Sequence, residues 1–201
     1  MGVIVANELQ LLEVFRLAAL GGESGIATEV SDRLSGSWLA VSRFRDVDDL
    51  TARTLELERS PTTLNRAGLA KKTLGDLRGA LILYQEAVGL LEASGDRRGV
   101  AATLNNIGGV YNGLGDLQQA LDYYNRALPI SEEVGDRTGE SVTRYNIAMI
   151  HRAEGRLAQA VAELQRVVAL DKQIGHPDLE ADTAMLNQLT TEIRHEQSMT
   201  D

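Results

Sequence analysis

The 201-residue chain carries 29 acidic against 20 basic side chains, a formal net charge of -9, and no cysteine. A net acid excess argues against a nucleic-acid partner, because polyphosphate binding rests on Lys and Arg, and the missing thiols rule out disulfides, thiolate metal sites and a cysteine nucleophile. A hydrophobic content of 43% is ample for the core of one large or two small domains.

The first 20 residues are apolar but lack a basic n-region and include Glu8 and Glu13, so they read as a helix of the mature protein and not as a signal peptide. No uninterrupted apolar window of about 20 residues suggests a membrane span, and Met-Gly without Ser or Thr at the sixth residue is no myristoylation signal. The expectation is a cytoplasmic protein with no membrane partner. Residues 3–20 are apolar almost all round, which implies burial on more than one side, either against the rest of the chain or against a second copy in a homodimer. Residues 21–60 match a degenerate repeat, with Ala27, Leu34, Ala40, Val41, Phe44 and Leu50 at positions that are small or apolar 40 residues later.

Self-similarity dominates the chain from residue 61 to residue 180. Residues 61–100, 101–140 and 141–180 align without a gap, with 17 identities between the first pair and 10 between the second. Each block writes two amphipathic helices by apolar spacings of three and four, as in Leu104, Ile107, Gly108, Tyr111 and Leu114, then Leu117, Ala120, Leu121, Tyr124, Ala127 and Leu128. Gly75, Gly115 and Gly155, and Gly95, Gly135 and Gly175, sit where a left-handed residue ends each helix. Asp76, Asp96, Asp116 and Asp136 follow as caps for the next helix. Pro61 and Pro177 read as first-turn prolines. Pro129 lies within a helical pattern that continues past it, which predicts a kink. Residues 181–201 hold a capping helix and tail, with Leu179, Ala184, Met185, Leu186, Leu189 and Ile193 on one side of a pattern running from 178 to 197.

The middle block resembles the tetratricopeptide repeat (TPR) family at Gly108, Tyr111, Gly115, Ala120, Tyr124 and Ala127. The first block keeps Ala67, Gly68, Gly75, Ala80, Tyr84 and Ala87, and the third Ile147, Ala148, Gly155, Ala160 and Leu164. Leu64, Leu104 and Arg144 replace the usual tryptophan, and the 40-residue period is similar to that of kinesin light chains and bacterial signalling repeats. The resemblance implies an all-α fold, a superhelical array of antiparallel helix hairpins whose first helices line a concave, ligand-holding face.

Once the buried stripe is removed, that face offers Asn65, Arg66, Leu69 and Lys72 in the first block, Asn105, Asn106, Gly109 and Asn112 in the second, and Tyr145, Asn146, Met149 and Arg152 in the third. The first helices carry five basic residues against one acid. Asparagine amides both donate and accept, which suits a peptide backbone, and the family resemblance places Asn106 and Asn146 at a position that contacts the ligand main chain. Gly109 and Gly113 leave space for an apolar side chain. The expected partner is a protein or peptide with acidic groups or a free carboxylate, held by Arg66, Lys72 and Arg152. The bland alternative is that these amides satisfy local backbone and the cations are solvated surface.

No cofactor, metal or catalytic pattern emerges. His151, His176 and His195 fit no ligand spacing, the pairs Asp48–Asp49 and Glu132–Glu133 are sequence neighbours and not facing carboxylates, and the glycines fall at helix ends and not in a phosphate loop. The reading is a protein-interaction scaffold and not an enzyme. The alternatives are self-assembly through residues 3–20, and a peptide-signal sensor.

Overall fold

From Gly75 onward the chain turns at a left-handed glycine every 20 residues, with φ between 66° and 91° at Gly75, Gly95, Gly115, Gly135, Gly155 and Gly175. The computed structural model describes residues 2–200, with side chains from Asn7 to His195. Every element it describes is an α-helix, and among the described residues none is long and apolar enough to cross a membrane. Two compact units are present, residues 1–96 and 97–201.

The first unit holds α1 (Gly2–Gly21), α2 (Ser24–Ala40), α3 (Phe44–Leu55), α4 (Pro61–Thr73) and α5 (Leu77–Ser94). Its N-terminal core gathers Phe15 and Ala18 of α1, Ala27, Val30, Leu34 and Trp38 of α2, and Val47 and Leu50 of α3. Only one side of α1 is covered: Leu9, Val14, Leu17 and Leu20 stay exposed, so the all-round burial expected of residues 3–20 is not met within this unit. The side chains of residues 2–6 lie outside the described set.

The hairpin of α2 and α3 does not keep the 40-residue register. Ser35 and Gly36, which stand 40 residues before the Gly75–Asp76 turn, lie inside α2. The chain turns instead at Ser42, the one described non-glycine residue with positive φ, at 60°. Ser42 stands 33 residues before Gly75, and buried Val47 stands 33 before buried Ala80. The second helix of this hairpin has 12 residues against 18 in α5, which accounts for the shorter step.

The second unit holds α6 (Arg97–Leu114), α7 (Leu117–Glu133), α8 (Arg137–Ala153), α9 (Leu157–Ile174) and α10 (Leu179–Thr200). The caps are as the sequence suggests: Asp76, Asp116 and Asp136 accept the backbone N–H of Gly79, Gln119 and Gly139 at 2.9, 3.1 and 3.2 Å, and Ser60 accepts that of Thr63 ahead of Pro61. Pro129 does not end α7, which runs on to Glu133. Pro177 precedes α10 by two residues and belongs to a turn, not to the first helical turn. The capping helix seats fully buried Leu189 against Ala148, Ala160 and Leu164, with Met185 and Leu186 half-covered beside it. Ala184, expected on that side, is exposed.

Within each hairpin a small residue faces a large one. A Cβ built on Gly68 would lie 2.6 Å from the Tyr84 ring, and one on Gly108 would lie 2.6 Å from the Tyr124 ring. Both tyrosines are fully buried. The third hairpin pairs Ala148 with Leu164, so the added methyl is matched by loss of the ring. Gly108→Ala should therefore lower stability by up to about 2 kcal/mol, an overpacking loss of about 1–3 kcal/mol less about 1 kcal/mol of helix propensity. In a Tyr124→Leu background the same change should turn neutral or stabilising, a sign reversal read from urea unfolding midpoints.

Candidate functional site

Burial along the first helices repeats with the sequence: the third, fourth, seventh, eighth and tenth positions of each block are buried, and the fifth, sixth and ninth are half-buried. In the first unit this leaves Asn65, Arg66, Leu69 and Lys72 half-buried on one side of α4. In the second unit it leaves Asn105, Asn106 and Gly109 half-buried and Asn112 exposed on α6, with Tyr145, Asn146, Met149 and Arg152 half-buried on the neighbouring α8.

Two of the asparagines are joined. Asn146 Nδ2 donates to Asn105 Oδ1 at 3.1 Å, and Thr143 Oγ1 donates to the same oxygen at 3.3 Å. That rung ties α8 to α6. The first unit builds the same link with charges: Thr63 Oγ1 donates to Asp32 at 3.3 Å and Arg66 pairs with Asp32 at 2.8 Å. Asn65 Nδ2 donates to the Pro61 carbonyl at 3.1 Å. Asn106 makes no side-chain hydrogen bond among the described residues.

The three expected charge partners differ. Arg66 is engaged by Asp32. Lys72 has no carboxylate partner among the described residues, and burial holds its ammonium below the ordinary lysine range. Arg152 also lacks a carboxylate among the described residues; its guanidinium donates to the Met185 sulfur at 3.4 Å, a weak acceptor. Tyr145 and Met149 lean on the cluster that seats α10, so the capping helix lies along this part of α8. Beside the row, the Tyr111 and Tyr123 rings stack at 5.3 Å and the Arg126 guanidinium sits 5.0 Å from the Tyr123 ring centre.

Sequence reasoning passed over the charges at buried positions. Arg144, where the other blocks have Leu64 and Leu104, bonds Glu140 and Glu163 at 3.0 Å each and also reaches Glu132, linking α7, α8 and α9. Glu140 further accepts from Arg137 at 2.9 Å. Burial works against the Arg144 charge, but the bonds to Glu163 and Glu140 more than offset it and raise its pKa. The signal was present in the repeat: 40 residues earlier, Glu140 and Arg144 are Val100 and Leu104, both buried.

Paired helices locked by a small residue against a ring, and repeated with a half-buried polar row on each first helix, define a helical-hairpin repeat protein. The chain belongs to the tetratricopeptide repeat family, whose profile matches residues 59–133 and again 99–173. It is similar to the structure of BtubC (BKLC) from P. vanneervenii, with a TM-score of 0.76 and 17% identity over 93% of this chain and 82% of that one. It is also similar to aspartyl phosphate phosphatase F from Bacillus subtilis, with a TM-score of 0.75 and 19% identity over 86% of this chain, which spans 47% of that protein. Kinesin light chain-like TPR repeats from Podosopora anserina match with a TM-score of 0.65 and 15% identity over 86% of this chain and 90% of that one. At these identities the likeness concerns the fold. No curated protein sequence matches the chain.

Removing one partner of a buried ion network leaves the others uncompensated. Arg144→Leu should thus lower stability by about 3 kcal/mol, whereas Glu140→Val with Arg144→Leu, which reproduces Val100 and Leu104, should recover most of that loss. Urea unfolding of both variants checks it.

Proposed function

We propose that the chain is a protein-interaction scaffold, not an enzyme, whose first-helix row in the second unit holds an extended peptide segment of a partner. The observation that carries the reading is the contrast along this row. Asn105 is consumed in tying α8 to α6, while the side chains of Asn106 and Asn112 beside it make no hydrogen bond among the described residues. Asn106 supplies an amide for the peptide main chain. Gly109 admits a close approach, Met149 and the Tyr145 ring supply apolar contact, and Arg152 gives the row a cation with no carboxylate of its own. Exchange of the weak Met185 contact for a carboxylate makes a charge-assisted bond, so an acidic side chain or a C-terminal carboxylate is favoured there. Lys72 offers a second such cation in the first unit, and Arg66, already neutralised by Asp32, does not.

A peptide array probed with the wild-type chain and with Arg152→Ala should show acidic peptides retained over basic ones by the wild type and about tenfold weaker on the variant. Equal retention of acidic and basic peptides would remove the charge preference. Equal retention by wild type and by Asn106→Ala with Arg152→Ala would move binding off this row.

A further inference from the structure

A cleft of about 290 Å³ opens between α8 and the first turn of α10, lined by Ser141, Val142, Tyr145, His176, Asp178, Ala181 and Asp182. Behind it, on α9, lies Asp171, which has no exposed surface. Asp171 Oδ1 accepts the Ser141 hydroxyl at 2.5 Å, and its Oδ2 has no hydrogen-bond partner among the described residues. The carboxyl of Asp182, itself only 8% exposed, is within bonding reach of Asp171. Neither acid has a Lys or Arg partner among the described residues, and His176 is turned to Asp178, whose backbone N–H donates to its Nδ1 at 3.3 Å.

Packing does not call for these two acids. Forty residues earlier the same cleft forms between α6 and the start of α8, with Ser131 at the place of Asp171, Val142 at the place of Asp182 and Ala101 at the place of Ser141. The terminal cleft differs by a buried carboxyl pair set beside the apolar surface of Val142, Tyr145 and Ala181. Burial, and then the neighbouring Asp171, push the Asp182 carboxyl up to about 6 against a smaller opposing pull from His176, in a poorly solvated site with no Lys or Arg counter-charge among the described residues.

We infer that this cleft receives a cationic side chain, lysine or arginine, of a bound polypeptide. Its aliphatic stem lies against Val142, Tyr145 and Ala181, and its charge meets Asp182 with Asp171 behind. The volume is at the lower end of ligand pockets, about 300–1,000 Å³, and suits one side chain. A long charged side chain buries its stem on apolar surface while its head finds the acid. The cleft meets the first-helix row at Tyr145 but does not depend on it, because Arg152 is not among its walls. A partner would thus present an acidic group to the row and a basic one to the cleft.

The test is ¹H–¹⁵N NMR titration of the full chain with the blocked tripeptides Ac-Ala-Lys-Ala-NH₂ and Ac-Ala-Arg-Ala-NH₂, and with the norleucine peptide as neutral isostere. The basic peptides should move the amides of Val142, Tyr145, Ala181 and Asp182 saturably and the isostere should not. Affinity should fall at least about tenfold in Asp182→Asn and in Asp171→Ser with Asp182→Val, which restores the Ser131 and Val142 pairing and so keeps the fold. It should also fall from about pH 7.5 to about pH 5, as Asp182 takes up its proton. Loss in Arg152→Ala alone would trace binding to the row instead. Equal shifts with norleucine, or undiminished binding by the double variant, overturns the inference. A carboxyl pair that titrates while no cation moves it overturns it equally, and leaves an internal pH-sensitive contact.

Discussion

Close approach of the two helices in each hairpin is the constraint on which the rest depends. Gly68 and Gly108 leave no room for a methyl beside Tyr84 and Tyr124, and the rings are fully buried because that room is theirs. Ala148 with Leu164 reaches a similar packed arrangement by a different division of volume. Core packing tolerates such exchanges when the summed volume is kept. Once the hairpin is fixed, its glycine and Asp termini set the next turn, and the fifth, sixth and ninth positions of each first helix are left half-covered. Of those positions Asn105, Asn146 and Arg66 tie neighbouring helices together, whereas Asn106 and Gly109 carry no such tie.

Much of this was legible in the sequence because it repeats. The glycine turns, the caps at Asp76 and Asp116 and the small-to-large pairs all recur at 40 residues. The N-terminal hairpin was blurred because its second helix is shorter and its turn uses Ser42, so that the step to Gly75 is 33 residues. A search at one fixed period finds the apolar matches there but misplaces the turn. Ala184 was misassigned because α10 covers its neighbours through a single line of contact at Met185, Leu186 and Leu189 and so leaves a narrower buried stripe than the spacing suggested.

The candidate site was half legible. Position in the repeat singles out the row, but it cannot say that Asn105 is spent on Asn146 or that Arg66 is spent on Asp32, since both bonds join residues more than 30 positions apart. The buried charges Glu140, Arg144, Asp171 and Asp182 were visible as departures from the repeat, each replacing an apolar or small neutral residue of the preceding block. They divide by what surrounds them. Arg144 gathers three carboxylates and is electrostatically closed, whereas Asp171 and Asp182 have each other, Ser141 and nearby His176, with no Lys or Arg among the described residues. Buried charge without a partner is unfavourable in a folded chain.

The central claim is that binding belongs to the first-helix row of the second unit. Amide shift mapping with the tightest peptide from the array tests it most directly. Perturbations concentrated at Asn106, Gly109, Asn112, Met149 and Arg152 are predicted. Perturbations concentrated on the exposed sides of α7 and α9, with the row unmoved, would contradict the account.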